Sequence, residues 1–468
     1  MSQLKTIQDD HVPIWLPRLA AHGGPRYLQI ADALQAALAG GALRPGERLP
    51  PQRELAAQLG VDLTTITRAY DEARRRNLLE GRGARGTYVA APKVELSSIL
   101  YLSMNTPPAP AGVDFDDLMK QGLSQVLMGA DNALLMNYHL GGGSDADRQA
   151  GAKWLEPMFG QLDPGQLVVC PGAQAAIAAV ILALTTPDDV ILAEPLTYPG
   201  LRAAATQFGR RIIAVETDQH GMVPELLEQA CLQHEPALVY LNPTCQNPTA
   251  ISMPQRRRKD LASIARRCNV RIVEDDPYWL LADAAPPPIA TLAPQQAVYI
   301  STLSKCLTPG LRVAFVLLPD PDQRERFLGA LRSFALMVAP LTAALATQWI
   351  FDGSAQSLMQ GVRDEARLRQ RMARDILAGR CSGARDGLHV WLELPTYWTS
   401  SQLAHAAASL GIAVTPAQAF ATGEGSVNAI RISLGNIKDR GHLEAGLQRL
   451  SHLLARRPEM VTGAFSSN

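Results

Sequence analysis

Cysteine is sparse and scattered in this chain: six residues, at 170, 231, 245, 268, 306 and 381, with no CxxC pair among them. That excludes a dense disulfide framework and a paired-cysteine zinc site, and it suggests free thiols in a reducing compartment. Long hydrophobic runs are missing too. The longest, Ala175 to Leu184, is about half the ~20 residues that a bilayer-spanning helix needs. The polar stretch Met1 to Asp10 lacks the apolar core of a secretory leader. Net charge is absent, with 44 basic residues balancing 44 acidic ones. Neutrality does not exclude nucleic acid, because a basic module can be offset by an acidic body. The expectation is a cytoplasmic protein with no metal site and no membrane partner.

What is present is a globular composition, 47% hydrophobic and 19% charged over 468 residues, with room for about three cores. Near the start, apolar residues at 30, 33, 34, 37 and 38 give a helix over Tyr27–Ala39 with one buried face. Gly40-Gly41 stops it, and Leu43-Arg44-Pro45-Gly46 reads as a turn. A short helix over Gln52–Leu59 ends at Gly60, and Asp62 is placed to cap a third helix over Leu63–Arg76. Helix, glycine turn and helix make a helix-turn-helix whose last helix starts with Thr64, Thr65, Thr67 and Arg68, where base edges are read. Leu78 to Val89 then gives two short strands around a Gly/Arg tip, a β-wing suited to a phosphate backbone.

The run LPPQRELAAQLGVDLTTITRAYDEARRRNLLEGRGARGTYVA resembles the winged helix-turn-helix of GntR-type bacterial regulators. The resemblance implies operator DNA as a partner, contacted by Arg53, Thr64, Thr65, Arg68 and the wing's Arg82, Gly86 and Thr87. Asp62-Leu63 stands where many such domains carry Ser/Thr-Arg, so operator preference does not carry over. The assignment is a DNA-binding domain over 20–90 and a Pro/Ala-rich linker over 91–112, whose latter half is also a candidate pocket wall.

From about residue 150, apolar strands alternate with helical stretches: Leu167–Cys170, Val190–Ala193, Arg211–Val215, Leu238–Leu241, Val270–Glu274, Ala297–Ile300 and Val313–Leu317. Alternation of this kind implies an α/β domain with a mostly parallel sheet and a ligand site at the carboxyl ends of its strands. Polar residues gather at those ends. Pro171-Gly172-Ala173-Gln174 opens a helix whose first amides suit an anion. Tyr198 follows the next strand, and Asn247 sits in the proline-braced loop Asn242 to Thr249. Asp275 leaves a buried strand and needs a cationic partner to stay ionised, with Tyr278 close behind it. Lys305 lies among Thr302, Ser304 and Thr308, with Pro309-Gly310 leading to Arg312. Alone, a lysine between two strands is most often a solvated loop residue; five elements in this order are far more specific.

Together they resemble the fold type I pyridoxal-phosphate enzymes, the aspartate aminotransferase class. The resemblance implies pyridoxal 5'-phosphate as cofactor, an internal aldimine at Lys305, and Asp275 on the ring nitrogen. It implies Asn247 and Tyr278 on the ring hydroxyl, Tyr198 stacked on the ring, and Ala173, Gln174, Thr302, Ser304 and Arg312 around the phosphate. Arg431 matches the arginine that clamps a substrate carboxylate, alongside Asn247. Tyr138 matches a tyrosine offered to the phosphate of a neighbouring subunit, which implies a homodimer with shared sites. Ala173 stands where many relatives have serine, and Ala250 replaces the usual glycine after Asn-Pro-Thr.

The fold class expected is therefore multidomain: a winged helix-turn-helix and an α/β, fold type I PLP-dependent transferase-like domain over 113–455. Its large part spans about 150–320 and a smaller α+β part about 340–455. The arginine-rich stretch 320–380 reads as a long solvated helix between the two, and 456–468 as a disordered tail. This order of domains resembles the MocR regulators. It implies a DNA-binding, nucleoid-associated regulator that senses PLP, an amino compound or both. Two rivals stay open: a working aminotransferase with an appended DNA-binding head, and a pure cofactor sensor.

Overall fold

In the computed structural model, the described residues are 15–17, 19, 24–76, 78–81, 86–90, 99–129, 135–423 and 427–458. The chain divides into two compact units, Met1–Ser98 and Ile99–Asn468.

The first unit holds helices Arg26–Ala39, Gln52–Leu59 and Leu63–Arg75 and a hairpin of Leu79–Gly81 with Thr87–Val89. Ile30 and Leu34 of the first helix share one core with Leu55, Ile66, Tyr70 and Leu79. The Tyr70 hydroxyl donates to the Pro50 carbonyl at 3.0 Å, which ties the last helix to the entry of the second. Gly60 supplies the left-handed turn between them (φ 63°), where a side chain would be strained. Asp62 holds the N-cap position as expected, but its carboxylate makes no capping bond. Gly46, read from sequence as the end of a turn, and Leu49 beyond it pair with the wing: Gly46 N donates to Val89 O at 2.9 Å and Leu49 N to Thr87 O at 2.9 Å.

The second unit is built on a seven-stranded sheet in the spatial order Leu167–Cys170, Ala314–Leu317, Ala297–Thr302, Arg271–Asp275, Leu238–Leu241, Val190–Ala193, Arg211–Ala214. Ala314–Leu317 is antiparallel to both neighbours and the other pairings are parallel. Strands covered on both faces must be apolar throughout, which is why they read as short hydrophobic runs. Asp275 proves to be the last residue of its strand rather than the first after it. A smaller antiparallel sheet orders Cys381–Ser382, His389–Glu393, Ala429–Ser433 and Thr415–Pro416, with helices Ser400–Ser409 and Arg440–Leu454 beside it. Among the described residues, no helix is long and apolar enough to cross a membrane.

Two expectations need correction. The stretch 320–380 is three helices, Pro321–Phe334, Pro340–Asp352 and Ser354–Ile376. Pro340 at a helix start and Gly353 at φ 87° force the breaks. Nor is its arginine face solvated throughout: Arg371 and Arg374 are exposed, but Arg363, Arg367 and Arg369 are not. Arg369 is 1% exposed, with Nε donating to Glu365 at 2.7 Å and Nη1 to the Leu434 and Ile437 carbonyls at 2.7 and 2.6 Å. Arg367 is paired with both Asp283 and Asp386. The described part of the assigned linker, 99–112, is also no linker. Leu100–Tyr101 pairs in parallel with Ile412–Ala413, and Leu102 is fully buried. Ala111 N donates to the Gly361 carbonyl at 3.0 Å, and a side chain at Gly361 would come within 2.6 Å of the Ala111 oxygen. The proline-rich run is thus seated on the helix Ser354–Ile376. Residues 91–98, and 459–468 of the assigned tail, lie outside the described residues.

Candidate functional site

The carboxyl ends of the large sheet's strands meet the segment 103–105 around a cavity of about 290 Å³. Ala173, Gln174, Tyr198, Asn247, Asp275, Tyr278, Thr302, Ser304, Lys305, Arg312 and Arg431 all line it. Tyr138 does not. It is 73% exposed, away from this chain's own cavity.

Each side chain is aimed by local structure. Thr302 ends its strand and caps the short helix Leu303–Cys306, its Oγ1 accepting from Ser304 N at 3.2 Å, so that Lys305 turns inward. The Lys305 amine donates to the Asn105 carbonyl. Burial, then the nearby Arg431 cation, hold its pKa down at about 8, against the pull of Asp275. Asp275 is buried, and Tyr240 donates to its Oδ2 at 2.6 Å. Burial raises its pKa to about 6 although the Tyr240 bond works the other way. Its Oδ1 has no hydrogen-bond partner.

The opposite wall carries Arg431 on the strand Ala429–Ser433. Its Nη1 donates to Asn247 Oδ1 at 2.7 Å, Nη2 donates to the Ser103 carbonyl, and its Cζ lies 4.9 Å from the Phe420 ring centroid. Burial lowers its pKa to about 10, and Nε is left without a partner. Asn247 is set by its own amide, which donates to Asn242 Oδ1 at 2.8 Å. Ala250, in place of glycine, takes a left-handed conformation at φ 61°.

At the third corner, the helix Ala173–Leu184 begins at Gly172, whose φ is 84°. A Cβ there would stand 2.8 Å from the Arg312 guanidinium. Glycine is therefore what lets a cation and a helix N-terminus share one corner, a built anion cradle. Gln174 Nε2 donates to the Gly200 carbonyl at 3.0 Å, and a Cβ on Gly200 would overlap both Gln174 and the Tyr198 ring. Thr302 and Ser304 bond to each other at 3.0 Å.

Sequence reasoning missed Ser103, Asn105, Tyr240, His389, Gly200 and Phe420. Asn105 is 6% exposed; its Nδ2 donates to the Tyr278 hydroxyl at 2.8 Å and lies 3.2 Å from His389 Nδ1. Only the alternative of a pocket wall in the latter half of 91–112 pointed toward two of these.

On the first unit, Arg53, Thr64 and Arg68 are exposed and Thr65 is half-buried. The Arg68 guanidinium stacks 4.4 Å from the Tyr27 ring centroid. Thr67, also exposed, donates to Gln52 at 2.9 Å and so braces the two helices. Gly86 has φ 106°, with Arg48 Nε 3.1 Å from where its Cβ would stand, and Thr87 Oγ1 accepts from Arg74 at 3.5 Å. Arg82 lies outside the described residues.

The class that these parts define is a DNA-binding regulator with an aminotransferase-like, PLP-binding domain. Residues 97–450 match the family described as aminotransferase class I and II, and residues 26–89 match the bacterial regulatory proteins of the gntR family. The chain belongs to the aminotransferase class I and II family, with a gntR-family domain in front. It is 31% identical to the HTH-type transcriptional regulator YdeF of Bacillus subtilis, over 94% of this chain and 96% of that one. It is 28% identical to the vitamin B6 salvage pathway transcriptional repressor PtsJ of Salmonella typhimurium, over 88% and 94%. Among solved structures, a Pyrococcus horikoshii kynurenine aminotransferase has a TM-score of 0.71 at 23% identity, over 77% of this chain and 92% of that one, a likeness of fold.

Pyridoxal 5'-phosphate is the cofactor expected of this family, and the cavity fits it. A buried carboxylate oxygen lacks a partner, an amine is held near neutrality, and the glycine-lined corner with its guanidinium suits a phosphate.

Proposed function

We propose that this chain is a MocR-type transcription regulator whose cavity binds PLP and then an amino compound bearing a carboxylate, and that occupancy changes operator binding. When bound, the cofactor supplies an aldehyde for amines to condense with and a ring that accepts electron density. Lys305 would hold it covalently: with a pKa of about 8, about a tenth of the amine is neutral and nucleophilic at pH 7. Asp275 would face the ring nitrogen, with Tyr240 holding its other oxygen. Asn247 and Tyr278 would flank the ring hydroxyl, and Tyr198 would cover the ring. The Gly172 corner, with the amides of Ala173 and Gln174, the hydroxyls of Thr302 and Ser304 and the Arg312 guanidinium, would take the phosphate. Arg431 would clamp the effector's carboxylate. Arg53, Thr64, Thr65, Arg68, Arg82, Gly86 and Thr87 would contact operator DNA.

One observation carries the regulatory reading. Two of the cavity's three cations are engaged by one backbone segment, Lys305 on the Asn105 carbonyl and Arg431 on the Ser103 carbonyl. PLP at Lys305 would take one of these contacts and leave the segment held by the Asn105 side chain and by Arg431. An effector carboxylate at Arg431 would then compete for the second carbonyl. The segment follows Leu100–Tyr101 and residues 91–98, the chain's path to the DNA-binding unit. Ligand and operator then bias one equilibrium, and by linkage each changes the other's affinity by the same factor.

A homodimer is part of the reading. Tyr138, Met128 and Met136 are 73%, 81% and 84% exposed, an apolar group with more surface in water than a monomer favours. The second reading is a working aminotransferase, favoured by the complete set of polar groups around Lys305. The test is operator binding by the full chain without ligand, with PLP, and with PLP plus a panel of amino acids, alongside steady-state assay with a keto acid. An amine that shifts operator affinity without turnover supports the regulator. Sustained turnover with unchanged operator binding supports the enzyme, and a response to PLP alone supports the pure sensor.

A further inference from the structure

We infer that Asn105 and His389 form a positioning pair that fixes the Tyr278 hydroxyl as a hydrogen-bond donor toward the cofactor's ring oxygen. This rests on the PLP reading above and assigns work to two residues outside it.

The argument starts from His389, which is fully buried on the strand His389–Glu393. Its Nε2 lies 3.2 Å from the Gln246 carbonyl and its Nδ1 lies 3.2 Å from Asn105 Nδ2. Burial, with the Arg431 and Lys305 cations facing it, drives its pKa down to about 3, so the ring is neutral and carries one hydrogen. A carbonyl can only accept. The hydrogen is therefore on Nε2, and Nδ1 presents a lone pair.

That lone pair decides which way the Asn105 amide faces. Only the NH2 end can satisfy an acceptor, so Nδ2 turns toward His389. Its second hydrogen goes to the Tyr278 oxygen at 2.8 Å. The amide oxygen is left buried and unpartnered. An orphaned buried acceptor is costly, and it persists here because a flip would set an acceptor against the lone pair of His389.

For Tyr278 the consequence is directional. Its oxygen already receives a hydrogen, and among the described residues its own hydrogen meets no acceptor. That hydrogen is free for the cavity that Tyr278 shares with Asn247, Asp275 and Lys305. Had the amide faced the other way, its oxygen would have captured the phenolic hydrogen and the ring oxygen would have lost a donor. Asn105 also carries the carbonyl that receives the Lys305 amine, so one residue touches both Lys305 and Tyr278.

Two measurements on the full-length protein test the pair. In cofactor-stripped protein, 15N shifts of the His389 ring report the tautomer; hydrogen on Nε2 is expected, and hydrogen on Nδ1 overturns the assignment. In PLP-loaded protein, the pH midpoint of the visible absorbance reads the hydrogen bond at the ring oxygen. Asn105→Asp can only accept, so it should capture the Tyr278 hydrogen and raise the midpoint by about one pH unit, as Tyr278→Phe should. The double variant should move no further than Tyr278→Phe alone. A carboxylate acting only through its charge would add to the Tyr278→Phe effect, and additivity sinks the proposal, as does an unmoved midpoint in Asn105→Asp. His389→Leu, uncharged and close in volume, frees the amide to turn and should raise the midpoint in the same direction. If wild-type protein shows no PLP-dependent absorbance, the cofactor reading itself fails. That failure is distinct, because the tautomer is read without cofactor.

Discussion

Asp275→Asn should stabilise this protein when the cofactor is stripped out and destabilise it, relative to wild type, when the cofactor is restored. The carboxyl is buried, one oxygen has no partner, and burial lifts its pKa from 3.8 to about 6. The unfolded chain releases this proton near pH 4 and the folded chain near pH 6. Between those values the folded state binds more protons, so stability falls as pH rises through the interval and levels off above it. At about 1.4 kcal/mol per pH unit, the full cost above pH 6 is ~3 kcal/mol. Asparagine removes the charge and keeps an oxygen for the Tyr240 hydroxyl, but buries an NH2 without an acceptor, which costs about 1–2 kcal/mol.

The net gain for the stripped protein at pH 7.5 is therefore ~1–2 kcal/mol. Spread over the unfolding entropy of the unit Ile99–Asn468, that is a rise in Tm of about 2 °C. At pH 5 the wild-type cost falls to about half, and the gap should close. Loaded with PLP, wild type gains a cationic ring nitrogen as partner and the variant does not, so the order of the two Tm values inverts. Thermal unfolding of both proteins at pH 5 and 7.5, with and without PLP, measures all four terms. A stripped wild type at least as stable as the variant at pH 7.5, or equal stabilisation of both by PLP, would refute the reasoning.

Three other variants probe separate parts. Lys305→Ala should abolish the PLP-dependent visible absorbance and the mass gained on borohydride reduction; retention of either places the covalent link elsewhere. Arg53→Ala with Arg68→Ala should weaken operator binding and reduce the slope of log K against log salt by about two, and an unchanged slope removes these arginines from the phosphate contacts. Glu365→Ala strands Arg369, which is 1% exposed and shares the Glu365 carboxylate with Arg440. The expected cost is about 3 kcal/mol in denaturant unfolding, and a loss under 1 kcal/mol would mean that the Leu434 and Ile437 carbonyls suffice.

Glu365 and Arg369 also mark where the sequence stopped being readable. Arginines at helical spacing across 363–374 look like a face turned to water, because periodicity defines a face but not what covers it. The cover arrives with Leu434, 65 residues later, where carbonyls left open after a sheet strand meet the guanidinium. The cavity divides along the same line. Lys305, Asp275, Asn247 and Arg312 were legible because an α/β sheet delivers ligand residues at strand ends, and strand ends can be found from short apolar runs. Tyr240 was not, since it reads as one more buried strand residue. Its phenol acts only because the strand Leu238–Leu241 lies beside the strand that ends in Asp275. The stretch 99–112 shows why composition misled most. Proline and alanine describe what a segment cannot build alone, and they say nothing of a surface shaped to receive it. Here Gly361 gives the proline run its seat, and Lys305 and Arg431 give the carbonyls of Asn105 and Ser103 their partners. A segment whose composition promised no structure is thereby held on two cations, and under the proposed function an effector's claim on Arg431 is the physical condition for releasing it.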